Sequence, residues 1–152
     1  MKYILFLALI AMTGLACTAQ GGTTDPCARA ARRDQYCKVW KALQGDAQAQ
    51  LSLGEMYTQS KNYTEAFKWY HKAAVQGYAD AQYNLGVMYD QGYGTPKNDV
   101  KAYMWLNLGA SKTDGVAAAT LRDVIEKGMT SSQIAKAQKA TTECIRRHYQ
   151  GC

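Results

Sequence analysis

The chain has 152 residues, enough for one domain, and carries 18 basic against 12 acidic side chains, a formal net charge of +6. No two of its five cysteines form a Cys-x-x-Cys pair, and its two histidines, His71 and His148, lie far apart, so the spacing of a zinc site is missing. Ser-x-x-Lys, Gly-x-Ser-x-Gly and His-Glu-x-x-His are missing as well, which removes the common signatures of nucleophilic and metal-assisted hydrolysis.

The first element in chain order is a leader. Met1-Lys2 precedes an apolar run from Tyr3 to Met12 and then small residues, the layout of a secretory signal peptide over residues 1–16. The run is too short to span a bilayer well. Cleavage is expected after Ala16 or Ala19. Gly14-Leu15-Ala16-Cys17 resembles a bacterial lipobox, with Gly14 where Leu is usual; on that reading Cys17 is lipidated and becomes the first mature residue. The expected location is therefore the periplasm, the outer membrane as a lipoprotein, or the medium. That compartment argues against a nucleic-acid partner. Membrane contact is expected only through an anchor at Cys17.

Residues 17–25 are a polar linker, and residues 26–45 are expected to form a leading hairpin. Cys27, Cys37, Cys144 and Cys152 are an even set in an exported chain, which favours two disulfides over metal binding. Surplus cations gather at the ends of the chain, among them Arg29, Arg32, Arg33, Lys38 and Lys41 early and Lys136, Lys139, Arg146 and Arg147 late. Such charges attract acidic envelope polymers or phospholipid headgroups over long range, but the reading adopted for them is solvated helix faces.

A repeat follows. Nine of the fifteen positions from Gly45 to Gln59 recur identically thirty-two residues later, including Leu53/Leu85, Gly54/Gly86, Met56/Met88 and Tyr57/Tyr89. A period of a few tens of residues marks stacked supersecondary units. The copies are assigned to 46–77 and 78–113, with closing helices over 114–152. Ala81, Leu85, Met88 and Tyr89 fall at helical spacing. Gly92, Gly94 and Pro96 end that helix, and a second one starts near Asp99. Gly86 inside a helix costs about 1 kcal/mol against Ala if exposed, so its recurrence predicts a close helix crossing there. Tyr57, Tyr89, Trp69 and Trp105 recur in register and are expected in the core. His71 is expected on the surface of a helix and His148 in the final helix; neither has a partner that makes it a general base.

The stretch Ala79 to Trp105, with its Ala-x-Ala-Gln-x-x-Leu-Gly-x-x-Tyr-x-x-Gly-x-Gly pattern followed by Asp99, Lys101-Ala102 and Trp105, resembles the Sel-1-like repeat, a relative of the tetratricopeptide repeat. The resemblance implies an all-α, right-handed solenoid of about three helical hairpins plus a C-terminal helix. Cys27 and Cys37, ten residues apart, would lie about 15 Å apart on one continuous helix, too far for a bridge; they pair only if the chain reverses near Arg32. Cys144 and Cys152 are spaced like cysteine pairs of the secreted, cysteine-rich branch of the family, with Gly151 free to stop the helix between them. Thr130 and Gln133 have the spacing of a capping box.

The implied function is noncatalytic: an adaptor of the bacterial envelope that holds a peptide or protein partner, without a cofactor or metal and as a monomer. Packing positions repeat between copies, whereas recognition positions are free to differ. Gln48, Ser52, Glu55 and Gln59 share one helical face, and Asp80, Asn84, Val87 and Gln91 are their counterparts; these eight are the expected partner contacts. Two alternatives stand beside it. Cysteine-rich relatives imply β-lactam binding or slow hydrolysis, for which no residue here speaks, and the basic charge admits peptidoglycan or another envelope polymer.

Overall fold

The computed structural model describes residues 35–111 and 115–152. The leader, the lipobox with Cys17, the linker, Cys27 and the first part of the leading hairpin lie outside the described residues. Among those described, all regular structure is helical: α1 (Gln35–Leu43), α2 (Ala47–Gln59), α3 (Tyr63–Ala74), α4 (Ala79–Gln91), α5 (Asp99–Ala110), α6 (Val116–Glu126) and α7 (Ser131–Arg146).

Short polar side chains start α2, α3, α5 and α7 by accepting the first free amide donors. Asp46 accepts from the Ala49 amide at 2.7 Å and Asn98 from the Lys101 amide at 3.0 Å. Thr130 and Gln133 close a reciprocal capping box at the head of α7. α4 ends on Gly92 in the left-handed conformation, whose amide returns to the Met88 carbonyl. Repeat 1 lacks that glycine and turns instead through Lys61 at φ 59°.

Consecutive helices pack on one another from α1 to α6, and α7 packs on α5. The closing helices α6 and α7 both lean on α5 rather than chiefly on each other. The expected crossings occur. A Cβ at Gly86 would lie 2.6 Å from Leu106 Cγ and 3.3 Å from the Ala102 carbonyl, and one at Gly54 would enter the Tyr70 ring. Only a hydrogen fits in either place, so α4 meets α5, and α2 meets α3, closer than any side chain allows. Gly94, at φ 69°, lies against the Tyr63 backbone, and Tyr93 stacks on Tyr63 with ring centroids 4.6 Å apart. The loop of repeat 2 thereby seats on the head of the second helix of repeat 1.

The core runs through both copies as one cluster built on Ala66, Tyr70, Leu85, Ala102, Trp105, Leu106 and Leu108. Tyr89 and Trp105 are buried as expected, whereas Tyr57 and Trp69 are half-buried. Trp69 packs beside Val39 and Ala42 of the short α1 and carries Lys72 above its ring at 4.1 Å. Trp105 instead lies against α3 through His71, on a helix that α4, α6 and α7 all cover.

Two layers result. The first helices of each unit, α2, α4 and α6, adjoin through the Tyr78 hydroxyl, which donates to Gln48, and through the α4–α6 contact. The other layer is α1, α3, α5 and α7, joined by Trp69 with Val39, by His71 against Trp105 and by the α5–α7 packing.

Two buried glutamines tie units together in the same way. Gln50 Nε2 donates to the Ala42 carbonyl and Gln82 Nε2 to the Ala74 carbonyl, both at 3.1 Å. Gln50 Oε1 also accepts from Gln76 Nε2 at 2.8 Å. Cys144 and Cys152 form a disulfide with Cα atoms 5.5 Å apart. Cys37 is buried and disulfide-bonded, and its expected mate Cys27 falls outside the described residues. His148 is not in the final helix: α7 stops at Arg146, and His148 and Tyr149 both take positive φ, 49° and 64°. Gly151 at φ 71° completes the return that brings Cys152 to Cys144.

Candidate functional site

The eight expected contact residues sit on the two repeated helices. Gln48, Ser52, Glu55 and Gln59 step along α2 at intervals of four, three and four residues, and Asp80, Asn84, Val87 and Gln91 do the same along α4. These intervals keep each row on one face of its helix. Gln48, Glu55, Gln59, Asp80 and Gln91 are exposed; Ser52, Asn84 and Val87 are half-buried. The opposite faces are committed to packing: Ala49, Leu53 and Gly54 on α2, and Ala81, Leu85 and Met88 on α4, are buried.

The Tyr78 hydroxyl donates to Gln48 Oε1 and links the two rows at one end. At the other end Gln59 enters a shallow cleft of about 480 Å³ that also takes in Val39, Met56 and Tyr57. The rows carry two carboxylates, Glu55 and Asp80, and no cation. Amides, a hydroxyl and carboxylates at this spacing hydrogen-bond and charge-match an extended chain.

Perturbed titration occurs elsewhere. Burial raises the Tyr70 phenol above its ordinary value, the Thr58 hydroxyl opposes this through a 3.1 Å hydrogen bond, and the Glu55 carboxylate adds to it. His71 is half-buried, the partly exposed helix residue expected. Its ring lies 5.9 Å from Trp105 and 6.2 Å from Phe67, and burial, then the Lys101 charge, holds it below the usual imidazole range. A neutral imidazole among aromatic rings is a packing group, not a poised base. The sequence offered one signal for this cluster, the i, i+4 spacing of Phe67 and His71, which places both on one side of α3. Among the described residues no group of three or more His, Cys, Asp or Glu could hold a metal ion.

Comparison with known proteins fits the repeat geometry. A family description of the Sel1 repeat matches residues 47–78 and again 79–114. Among solved structures, the chain resembles a protective antigen of uropathogenic Escherichia coli strains that displays an SLR fold, at TM-score 0.71 and 27% identity. The match covers 75% of this chain and 25% of that one, so the chain spans about a quarter of the antigen's length. No curated protein sequence matches.

Proposed function

With two Sel1 repeats in an SLR fold the chain belongs to the Sel1-like repeat family, and from that premise we propose that it is a noncatalytic adaptor of the bacterial envelope. It holds an extended peptide or protein segment along the exposed rows of α2 and α4. The observation that carries this reading is the contrast within each helix: the packed pairs Ala49/Ala81, Leu53/Leu85 and Gly54/Gly86 are the same in both copies, whereas Gln48/Asp80, Ser52/Asn84 and Glu55/Val87 on the outer rows differ. Glu55 and Asp80 suit basic side chains of the partner, and Gln48, Gln59, Asn84 and Gln91 suit its backbone. The leader-like N-terminus supports export, and Cys17 supports a lipid anchor; the mass of the mature N-terminus tests both.

Photo-crosslinkers at Ser52 and at Asn84 test the groove in living cells. The expected result is one shared partner at both positions, lost when Glu55→Lys and Asp80→Lys are combined. Different or no adducts at the two positions, or an adduct indifferent to charge reversal, overturn the assignment. Turnover of nitrocefin by the purified, oxidised protein, surviving removal of trace contaminants, overturns the noncatalytic reading.

A further inference from the structure

Charge is sorted between the two layers. In α2, α4 and α6 the charged side chains are Glu55, Asp80, Asp90, Asp123 and Glu126 against Arg122, five carboxylates to one cation. In the other layer α1 brings Lys38 and Lys41, α3 brings Lys68 and Lys72, and α5 brings Lys101. α7 adds Lys136, Lys139 and Arg146, for eight cations against Glu65, Asp99 and Glu143. All eight are exposed. Only Lys68 and Arg146 among them pair with a carboxylate within salt-bridge distance, Glu65 and Glu143, among the described residues. The chain alternates the two kinds of helix, so the sorting is invisible along the sequence and emerges when the helices stack.

We propose that the outer face of the α1, α3, α5 and α7 layer docks on the anionic headgroups of a phospholipid bilayer, with the acidic layer turned away from the membrane. Several features favour a bilayer over a clamped anion. The cations are spread over four adjacent helices, as a planar lattice of headgroups requires. Seven of the eight are lysines, compact point charges, whereas bidentate phosphate recognition is the habit of arginine. Lys72 and Lys101 lie above the Trp69 and Tyr89 rings, at 4.1 and 5.2 Å. Both side chains stay exposed there and thus hold their charge at the surface beside apolar rings. Lys97, Lys101 and Lys136 also line, together with Asp99, a shallow cleft of about 420 Å³ between α5 and α7. No helix among the described residues is long and apolar enough to cross a membrane. The contact is peripheral and electrostatic.

Co-sedimentation with vesicles of phosphatidylcholine alone, and with phosphatidylglycerol added, tests the proposal at low and high salt. Binding is expected only to the anionic vesicles and is lost at high salt, because exposed charges are screened within about 8 Å at physiological ionic strength. Each neutralised lysine weakens partition on the order of fivefold, so Lys101→Gln with Lys136→Gln loses about 25-fold. Asp123→Asn with Glu126→Gln, on the far layer, leaves partition unchanged or slightly stronger. Circular dichroism confirms that both variants fold. Equal partition to neutral vesicles overturns the proposal, as does indifference to the lysine pair. Capture by soluble dextran sulfate with none by anionic vesicles overturns it in favour of a polymer.

Discussion

His71 turns acid into a threat to the fold. Its imidazole is held below the ordinary value by burial and by Lys101, so just under pH 6.5 the unfolded chain binds more protons than the folded one. Stability is therefore present above that range and is lost as the pH falls through it. Thermal melts in steps from pH 7.5 to 5 are expected to show a falling midpoint in the wild type and a flatter profile in His71→Gln; parallel profiles would refute the assignment. Only the spacing of Phe67 and His71 was legible in the sequence, because Trp105 and Lys101 stand about thirty residues from His71 and reach it only after the helices stack. Gly86 was legible for the opposite reason. Its repetition after Gly54 in an otherwise helical stretch has one economical explanation, close approach, and Leu106 and Tyr70 fill those places.

At the scale of the element, the two buried glutamines make one device with unequal completeness. Gln50 donates to the end of α1 and accepts from Gln76. Gln82 donates to the end of α3, but its buried Oε1 has no hydrogen-bond partner among the described residues. A net hydrogen bond contributes about 1 kcal/mol, whereas a buried unpaired acceptor costs about 1–3 kcal/mol. Gln50→Met should therefore destabilise by about 1–3 kcal/mol. Gln82→Met should be neutral or stabilising, since it removes a bond and an orphan together. Urea titrations of both variants decide it, and equal losses would show that Gln82 Oε1 is satisfied. The head of α7 was readable from Thr130 and Gln133, whose side chains act locally. The placement of α7 on α5 was not, because nothing in a helix's own residues names which of two neighbours it will lean on.

The whole molecule is a row of units, and a row is weakest at its ends. The Cys144–Cys152 bridge closes a short loop there, and loops of this length contribute about 2–3 kcal/mol. Cys144→Ser with Cys152→Ser, or reduction of the wild type, is expected to lower the melting midpoint. It should also expose α7 amides to hydrogen exchange before those of α4 and α5; simultaneous loss of protection in all three would contradict this. The separation of charge into two layers belongs to this scale too. Composition reported the excess of cations, but only stacking decides which of them become neighbours.

The loop that the bridge closes does more than cap a helix. His148 and Tyr149 are held at positive φ, and Tyr149 is thereby carried back over Gly77, where a Cβ would come within 3.0 Å of its ring. Gly77 lies in the turn between α3 and α4, so the tail reaches past its own unit to the junction of the two repeats. An array whose end is held to its middle by such a packing stitch resists peeling from that end one hairpin at a time. Pulled or heated with the stitch intact, it should give way in a single step; with the stitch cut, it should unzip.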